Sequence, residues 1–308
     1  MTKVFIDGSA GTTGLRIRER LAGRKDLELL TLPEAQRKDP AARADALNSA
    51  GVSFLCLPDD AAREAVSLVT SPGAVIIDTS TAHRTSEGWT YGFPELKGQR
   101  EKIVSSRRIA NPGCHASGFV SLIAPLVQAG ALPGSARLSC FSLTGYSGGG
   151  KKMISAYEAE GRSPLFEAPR QYGLGQMHKH LPEMAAVCGL EHAPVFCPIV
   201  APYYAGMEVT VPLTPAETSA SPEEIREIYR SAYRSGLVCF AESPEEDGFL
   251  SAGAFAGRDD MEISVFGTPE RILLVSRFDN LGKGASGAAI QNMNLVLGAD
   301  EALGLIRG

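Results

Sequence analysis

The run Asn111-Pro112-Gly113-Cys114-His115 sets one of six cysteines directly behind a tight Pro-Gly turn. Phe119, Leu122, Ile123 and Leu126 then recur at helical spacing, so Cys114 falls at or just before the first turn of an amphipathic, half-buried helix, whose far end Pro125 should kink. Unsatisfied N–H groups and the helix dipole favour a thiolate there, and the same N–H groups can hold oxygen charge that develops on an attacked carbonyl. This is a setting for a nucleophile. The other cysteines (Cys56, Cys140, Cys188, Cys197, Cys239) are scattered without a C-x-x-C pair and read mostly as buried thiols, neither a disulfide framework nor a zinc ribbon.

A cysteine nucleophile needs a proton-transfer partner. His178-Lys179-His180-Leu181-Pro182-Glu183 brings two imidazoles and a carboxylate within six residues. Either His178 or His180 can serve as acid or base, with Glu183 orienting a ring; His180 is preferred because Glu183 lies one helical step onward. The same trio outlines a metal site, but no third and fourth ligands appear at usual spacing, so no metal is expected. His115 reads as a neighbour of the site, since adjacent side chains diverge.

Gly8-Ser9-Ala10-Gly11-Thr12-Thr13-Gly14 lies between a first strand and a first helix. A glycine turn there lets backbone N–H groups approach a pyrophosphate, which marks Gly8, Ser9, Gly11, Thr12, Thr13 and Gly14 as cofactor contacts. The spacing G-x-x-G-x-x-G departs from G-x-G-x-x-G, and a ligand-free turn is the alternative. After the second strand, Arg37 or Lys38 can meet a 2′-phosphate, which favours NADP, whereas Glu34 could instead bind a ribose hydroxyl. A loop over 143–152 offers backbone donors with Lys151 and Lys152, and residues 280–287 precede the last helix. A substrate phosphate would meet cations or N–H donors among Arg84, Arg107, Lys151 and Lys152.

These residues require a scaffold. Lys3 to Ile6, Leu27 to Leu32, Val52 to Leu57 and Ala74 to Asp78 read as buried strands, with helices after Gly14 and from Ala61 to Val69, the latter capped by Asp59 or Asp60. This βαβ rhythm implies a parallel sheet. Beyond residue 112 the pattern becomes strand-rich (Arg137 to Leu143, Met207 to Leu213, Glu262 to Phe266, Arg271 to Phe278), which suggests an antiparallel sheet in an α+β domain. Ser221-Pro222-Glu223-Glu224 announces a helix reaching about Arg234 through a capping box. A length of 308 residues suits about two domains. A net charge of −5 without a basic run argues against nucleic acid, and no apolar stretch approaches the ~20 residues of a membrane span. The amino terminus has no signal-peptide profile, so the protein is expected in the cytoplasm.

Taken in order, Ile6-Asp7-Gly8 with Gly11-Thr12-Thr13-Gly14-Leu15, Cys56-Leu57-Pro58-Asp59-Asp60-Ala61, Asp78-Thr79-Ser80-Thr81-Ala82-His83-Arg84, Tyr91-Gly92-Phe93, Asn111-Pro112-Gly113-Cys114, Gly145-Tyr146 with Gly148-Gly149-Gly150-Lys151, His178-Lys179-His180 with Pro182-Glu183, and residues 279–287 form a pattern. The chain resembles the N-acetyl-γ-glutamyl-phosphate reductase family of arginine biosynthesis, in its shorter subfamily, and more distantly aspartate-semialdehyde dehydrogenases. The resemblance implies an α/β Rossmann NADP-binding domain (1–112, completed by a helix in 284–308). It further implies an α+β catalytic and oligomerisation domain (113–283) of the aspartate-semialdehyde dehydrogenase or glyceraldehyde-3-phosphate dehydrogenase-like type. It implies reduction of N-acetyl-L-glutamyl 5-phosphate by NADPH through a Cys114 thioester, in a homo-oligomer. Pro58, Ser80, Asn280 and Gly282 become further candidates for the cofactor, and Asn111 with Arg84, Arg107 and Lys151 for the substrate. One departure stands out. The family's cysteine is usually followed by Tyr-Pro-Thr-Gly, whereas this chain has His115-Ala116-Ser117-Gly118. The alternatives are a reductase of a related acyl phosphate (aspartyl, or carrier-linked aminoadipyl or glutamyl), a thiol hydrolase, or a dinucleotide sensor without turnover.

Overall fold

Val4, Phe5, Ile6 and Asp7 are all buried in β1 (Thr2–Asp7), a continuous inward run that requires cover on both faces of its sheet. The computed structural model, which describes residues 1–234 and 236–308, supplies that cover in the first of two compact units (residues 1–94, 98–113 and 285–305). Its elements are β1, α1 (Thr12–Leu21), β2 (Leu27–Leu30), α2 (Pro40–Ser49), β3 (Val52–Leu55), α3 (Asp59–Ser67), β4 (Val75–Asp78), β5 (Thr90–Tyr91), α4 (Gln99–Ser105) and β6 (Arg108–Ala110). The strands form one sheet in the order β2-β1-β3-β4-β6-β5, parallel throughout. One face is packed by Ile17 and Leu21 of α1, Ile103 of α4, and Ile290 and Met293 from the carboxyl-terminal segment. Ala46 and Leu47 of α2 with Ala62 and Ala65 of α3 pack the other. Strand order reverses beside β1, and ligands of such sheets lie at the carboxyl edge of that switch point.

Two local expectations change. α3 begins at Asp59 behind Pro58 and has no side-chain cap; the Asp59 carboxylate instead accepts from the Thr81 backbone N–H at 3.0 Å and from its hydroxyl. α2, unforeseen, is started by Asp39, which accepts from the Ala41 N–H, and by Pro40 at the first position.

The second unit comprises residues 95–97, 114–284 and 306–308. It contains α5 (Cys114–Gln128), β7 (Ser139–Gly145), α6 (Gly150–Glu158), β8 (Arg170–Gln171), α7 (Leu181–Cys188), β9 (Val195–Ala201), β10 (Met207–Leu213), α8 (Pro222–Ala232), β11 (Val238–Phe240), β12 (Met261–Thr268) and β13 (Arg271–Phe278). The capping box that starts α8 is present as expected, with the Ser221 side chain bonded to the Glu224 N–H and the Glu224 carboxylate to the Ser221 N–H. The sheet is mixed and not antiparallel. In the order β11-β12-β13-β10-β7-β9-β8, the pairs β7–β9 and β11–β12 run parallel, because the segments joining them are long enough to cross over.

α5 is the core of this unit. Residues 115–126 are all buried, not half-buried, since α7, α8, β10 and β13 enclose the helix. Gly118 permits the approach to the sheet, as a Cβ there would collide with Val209. Pro125 does not end the helix. It removes the donor to the Ser121 carbonyl, and the Tyr233 hydroxyl replaces it at 2.5 Å; the Tyr229 hydroxyl adds a bond to the Leu122 carbonyl at 2.6 Å. The last helix, α9 (Gly287–Val296), belongs to the first unit.

Candidate active site

In the first unit the glycine turn sits at the carboxyl end of β1. Gly8 has φ +85°, and a Cβ on it would run into the Cys56 carbonyl that follows β3, so only glycine fits. Gly11 donates to the Gly8 carbonyl at 2.9 Å, and a Cβ on Gly14 would meet that same carbonyl. α1 has no side-chain cap and no acidic residue in its first turn, and the Thr12 hydroxyl is buried there without a hydrogen-bond partner. An uncapped helix start with an orphaned hydroxyl fits an anionic diphosphate: N–H groups of Thr12 and Thr13 would hold it, with Ser9 in the same turn. Arg37 and Lys38 lie exposed in the loop after β2, and Pro58 in the loop after β3. Both loops leave the edge that carries the glycine turn.

Several candidates in this unit serve the scaffold instead. The Ser80 hydroxyl donates to Asp78 at 2.8 Å, and Asp78 also holds His83 at 2.6 Å. Asn111 is fully buried, with its amide donating to the Ala285 carbonyl and its oxygen accepting from Asn292, so its side chain braces this segment. Arg84 donates to the Asn111 and Thr79 carbonyls at 3.0 and 3.1 Å. Arg107 stands apart from the glycine turn. It precedes β6, and in a parallel sheet that is the amino edge, a strand's length from the edge bearing the glycine turn.

In the second unit Cys114 is the first residue of α5 and is partly exposed, at the positive end of the helix dipole. Around it lies a cluster that sequence separation concealed. His115 is buried, with Nδ1 2.7 Å from the Ser142 Oγ of β7 and Nε2 2.6 Å from the Tyr172 hydroxyl just beyond β8. Its ring is 5.6 Å from both His178 and His180, whose own rings are 4.7 Å apart. Burial first, and then His178, pushes the His115 pKa down to about 3, so the ring is neutral at ordinary pH. Burial pushes the Tyr172 phenol up, with the charge of nearby Cys114 adding to the shift. His180 closes the start of α7 and its N–H donates to the His178 Nδ1 at 3.2 Å; Glu183 lies buried in the first turn of that helix.

His115, Tyr172 and Ser142 were not candidates on sequence. The His in place of the family's usual Tyr after the cysteine was the one available signal; nothing marks Tyr172 or Ser142. Segment 279–284 also departs from expectation. Asn280 is buried, accepting from the Gly206 N–H and donating to the Ser147 hydroxyl, and a Cβ on Gly282 would strike the Arg258 carbonyl, so both hold the second unit together. Lys283 forms a buried ion pair with Glu95 at 2.8 Å. Gly284 lies against Cys114: a Cβ there would lie 3.0 Å from that of Cys114. Residues 146–149 form a short turn leading into α6, on whose exposed first turn Lys151 and Lys152 stand. Among the described residues, no group of three or more His, Cys, Asp or Glu side chains is placed to hold a metal ion.

Comparison with known proteins defines the class. Residues 3–106 match the semialdehyde dehydrogenase NAD-binding domain, and residues 114–280 the semialdehyde dehydrogenase dimerisation domain. Aspartate semialdehyde dehydrogenase II from Vibrio cholerae shares the fold with a TM-score of 0.73 at 17% identity, over 96% of this chain and 98% of that one. N-acetyl-gamma-glutamyl-phosphate reductase 2 of Pseudomonas putida is 45% identical over 311 residues, covering 98% of each chain. The N-acetyl-gamma-glutamyl-phosphate reductase of Sinorhizobium medicae is 48% identical over 308 residues, covering 96% of this chain and 99% of its own. The chain belongs to the N-acetyl-γ-glutamyl-phosphate reductase family.

Proposed function

We propose that the protein reduces N-acetyl-L-glutamyl 5-phosphate to N-acetyl-L-glutamate 5-semialdehyde with release of phosphate, in arginine biosynthesis. The observation that carries this reading is a part-exposed cysteine at the first residue of α5, followed in the chain by His115, whose ring lies 5.6 Å from those of His178 and His180, in a chain 44–48% identical to reductases of that name. The Cys114 thiolate attacks the acyl-phosphate carbon, the carbon–oxygen bond to phosphate breaks, and a thioester remains on the sulfur. The glycine turn of the first unit, through the N–H groups of Thr12 and Thr13, would hold NADPH, whose chemistry would be to supply a hydride to the acyl group. The N–H groups at the start of α5 hold the oxygen charge that arises at that carbon. His180, kept in place by the start of α7 and assisted by Glu183, moves the proton that accompanies release of the aldehyde, with His178 as its neighbour. Lys151 is the substrate-phosphate ligand within the second unit, and Arg37 the contact to a 2′-phosphate.

The second unit's sheet has one face turned away from α5. On it Phe141 and Leu273 are each 43% exposed, and Leu143, Ile199, Thr210 and Pro212 share their register. An apolar sheet face of this kind fits self-association, and the matching family model is named a dimerisation domain. No helix among the described residues is long and apolar enough to cross a membrane, and the reading places the enzyme in the cytoplasm.

The test is absorbance at 340 nm with NADPH and N-acetylglutamyl phosphate. Oxidation of NADPH that Cys114→Ser lowers at least about 1,000-fold, while fluorescence titration still detects NADPH binding, supports the assignment. Turnover that survives in Cys114→Ser overturns it.

A further inference from the structure

Tyr172 and His115 lie outside the acid–base scheme above, yet they form a directed chain of hydrogen bonds that ends beside the nucleophile. Ser142 is fully buried and its hydroxyl has no other partner among the described residues, so it donates to Nδ1 of His115 at 2.7 Å. A neutral imidazole that accepts at Nδ1 carries its proton on Nε2. That N–H therefore donates to the Tyr172 oxygen at 2.6 Å. The Tyr172 O–H is then left unspent, with no other hydrogen bond among the described residues. Its surroundings are the edge of the His178 ring, 6.0 Å between centroids, and Cys114, whose charge it feels without being bonded to the sulfur.

The Tyr172 hydroxyl is held by His115, the residue next to Cys114 in the chain, and keeps its own proton to donate. We propose that Tyr172 is a catalytic residue whose hydroxyl donates to the carbonyl oxygen of the acyl group attacked by Cys114, and that His115 is the positioning residue that aims it. The proposal rests on Cys114 being the nucleophile; it does not depend on which acyl phosphate is the substrate. Among other titratable side chains near α5, none of His178, His180, Glu183, Cys188 and Tyr229 is hydrogen-bonded to Tyr172. The chain also gives the departure at residue 115 a chemical role: an imidazole bridges β7 and the segment after β8, two elements that a phenol at that position could not join by two ring nitrogens.

The test separates acyl transfer from simple thiol reactivity. p-Nitrophenyl acetate acylates a cysteine by forming a thioester and releasing p-nitrophenolate, and its transition state places charge on the carbonyl oxygen. Iodoacetamide alkylates the same sulfur with loss of iodide and develops no such charge. Both rates are measured at Cys114 by peptide mass spectrometry and, for acylation, by nitrophenolate release. Loss of one such donor costs about a hundredfold. Tyr172→Phe and His115→Asn are expected to slow acylation by about that factor while alkylation changes less than about twofold. His115→Gln, whose amide reaches the position of Nε2, is expected to recover most of the acylation rate. Equal acylation by wild type and Tyr172→Phe overturns the proposal, as does a parallel loss of alkylation. Identical behaviour of His115→Asn and His115→Gln overturns the positioning role. Should the His115 variants not fold, Tyr172→Phe alone decides the catalytic role. Neither reaction uses NADPH, so a wild-type protein that acylates but does not oxidise NADPH refutes the reductase assignment and leaves this inference standing.

Discussion

Pro125 lies inside a buried helix, and the bond that tolerates it can be tested directly. Proline lacks the N–H that would reach the Ser121 carbonyl, and Tyr233, 112 residues away in sequence, donates its hydroxyl there at 2.5 Å. Ser121 is fully buried and Tyr233 only 4% exposed, so water cannot substitute. Tyr233→Phe keeps the ring and creates no cavity of note; its cost is the orphaned carbonyl, roughly 1–3 kcal/mol. At about 2–4 °C per kcal/mol for a protein of this size, a central value of about 2 kcal/mol lowers the melting temperature by about 4–8 °C. Pro125→Ala restores a backbone donor to the same carbonyl. In that background Tyr233→Phe should cost at least about 1 kcal/mol less, which urea unfolding of the four proteins measures as a double-mutant cycle. An equal cost with and without the proline would refute the argument.

The remaining predictions concern charge and backbone. His115 titrates near 6.5 when unfolded and at about 3 when folded, so its contribution is complete above the higher value and is lost as pH falls toward the lower. Between pH 7 and pH 5 the wild type should lose about 2 kcal/mol more than His115→Gln in urea unfolding; parallel losses would show the imidazole to be charged in the fold. Gly8→Ala, forced to φ +85° with its Cβ on the Cys56 carbonyl, should destabilise the protein by more than about 1 kcal/mol and weaken NADPH binding in a fluorescence titration. Lys283→Met strands the buried Glu95 carboxylate and should cost about 3–5 kcal/mol, part of which Glu95→Gln recovers in thermal melts.

Much of the architecture was legible because its causes are local. Period-2 and continuous apolar runs marked β1, β3, β4, β10 and β13; Ser221, Pro222 and Glu224 marked the start of α8; and the turn before Cys114 put the sulfur at a helix start. Those signals act within a few residues, so sequence carries them. Pairings across long separations were hidden. The parallel β7–β9 contact depends on a crossover whose course no local pattern states, and the full burial of α5 depends on four elements closing around it. The edge at which Arg107 stands was hidden because residue type cannot tell which edge of a parallel sheet a strand end occupies, and Asn111, Ser80 and Asn280 have polar groups that folding satisfies from within. The position of Cys114 at a helix start was evident from the chain; its surroundings were not. His115 meets Ser142 27 residues on and Tyr172 57 residues on, and only a tertiary fold brings such groups within bonding distance, because hydrogen bonds extend about 3 Å and the chain's order says nothing of where it returns.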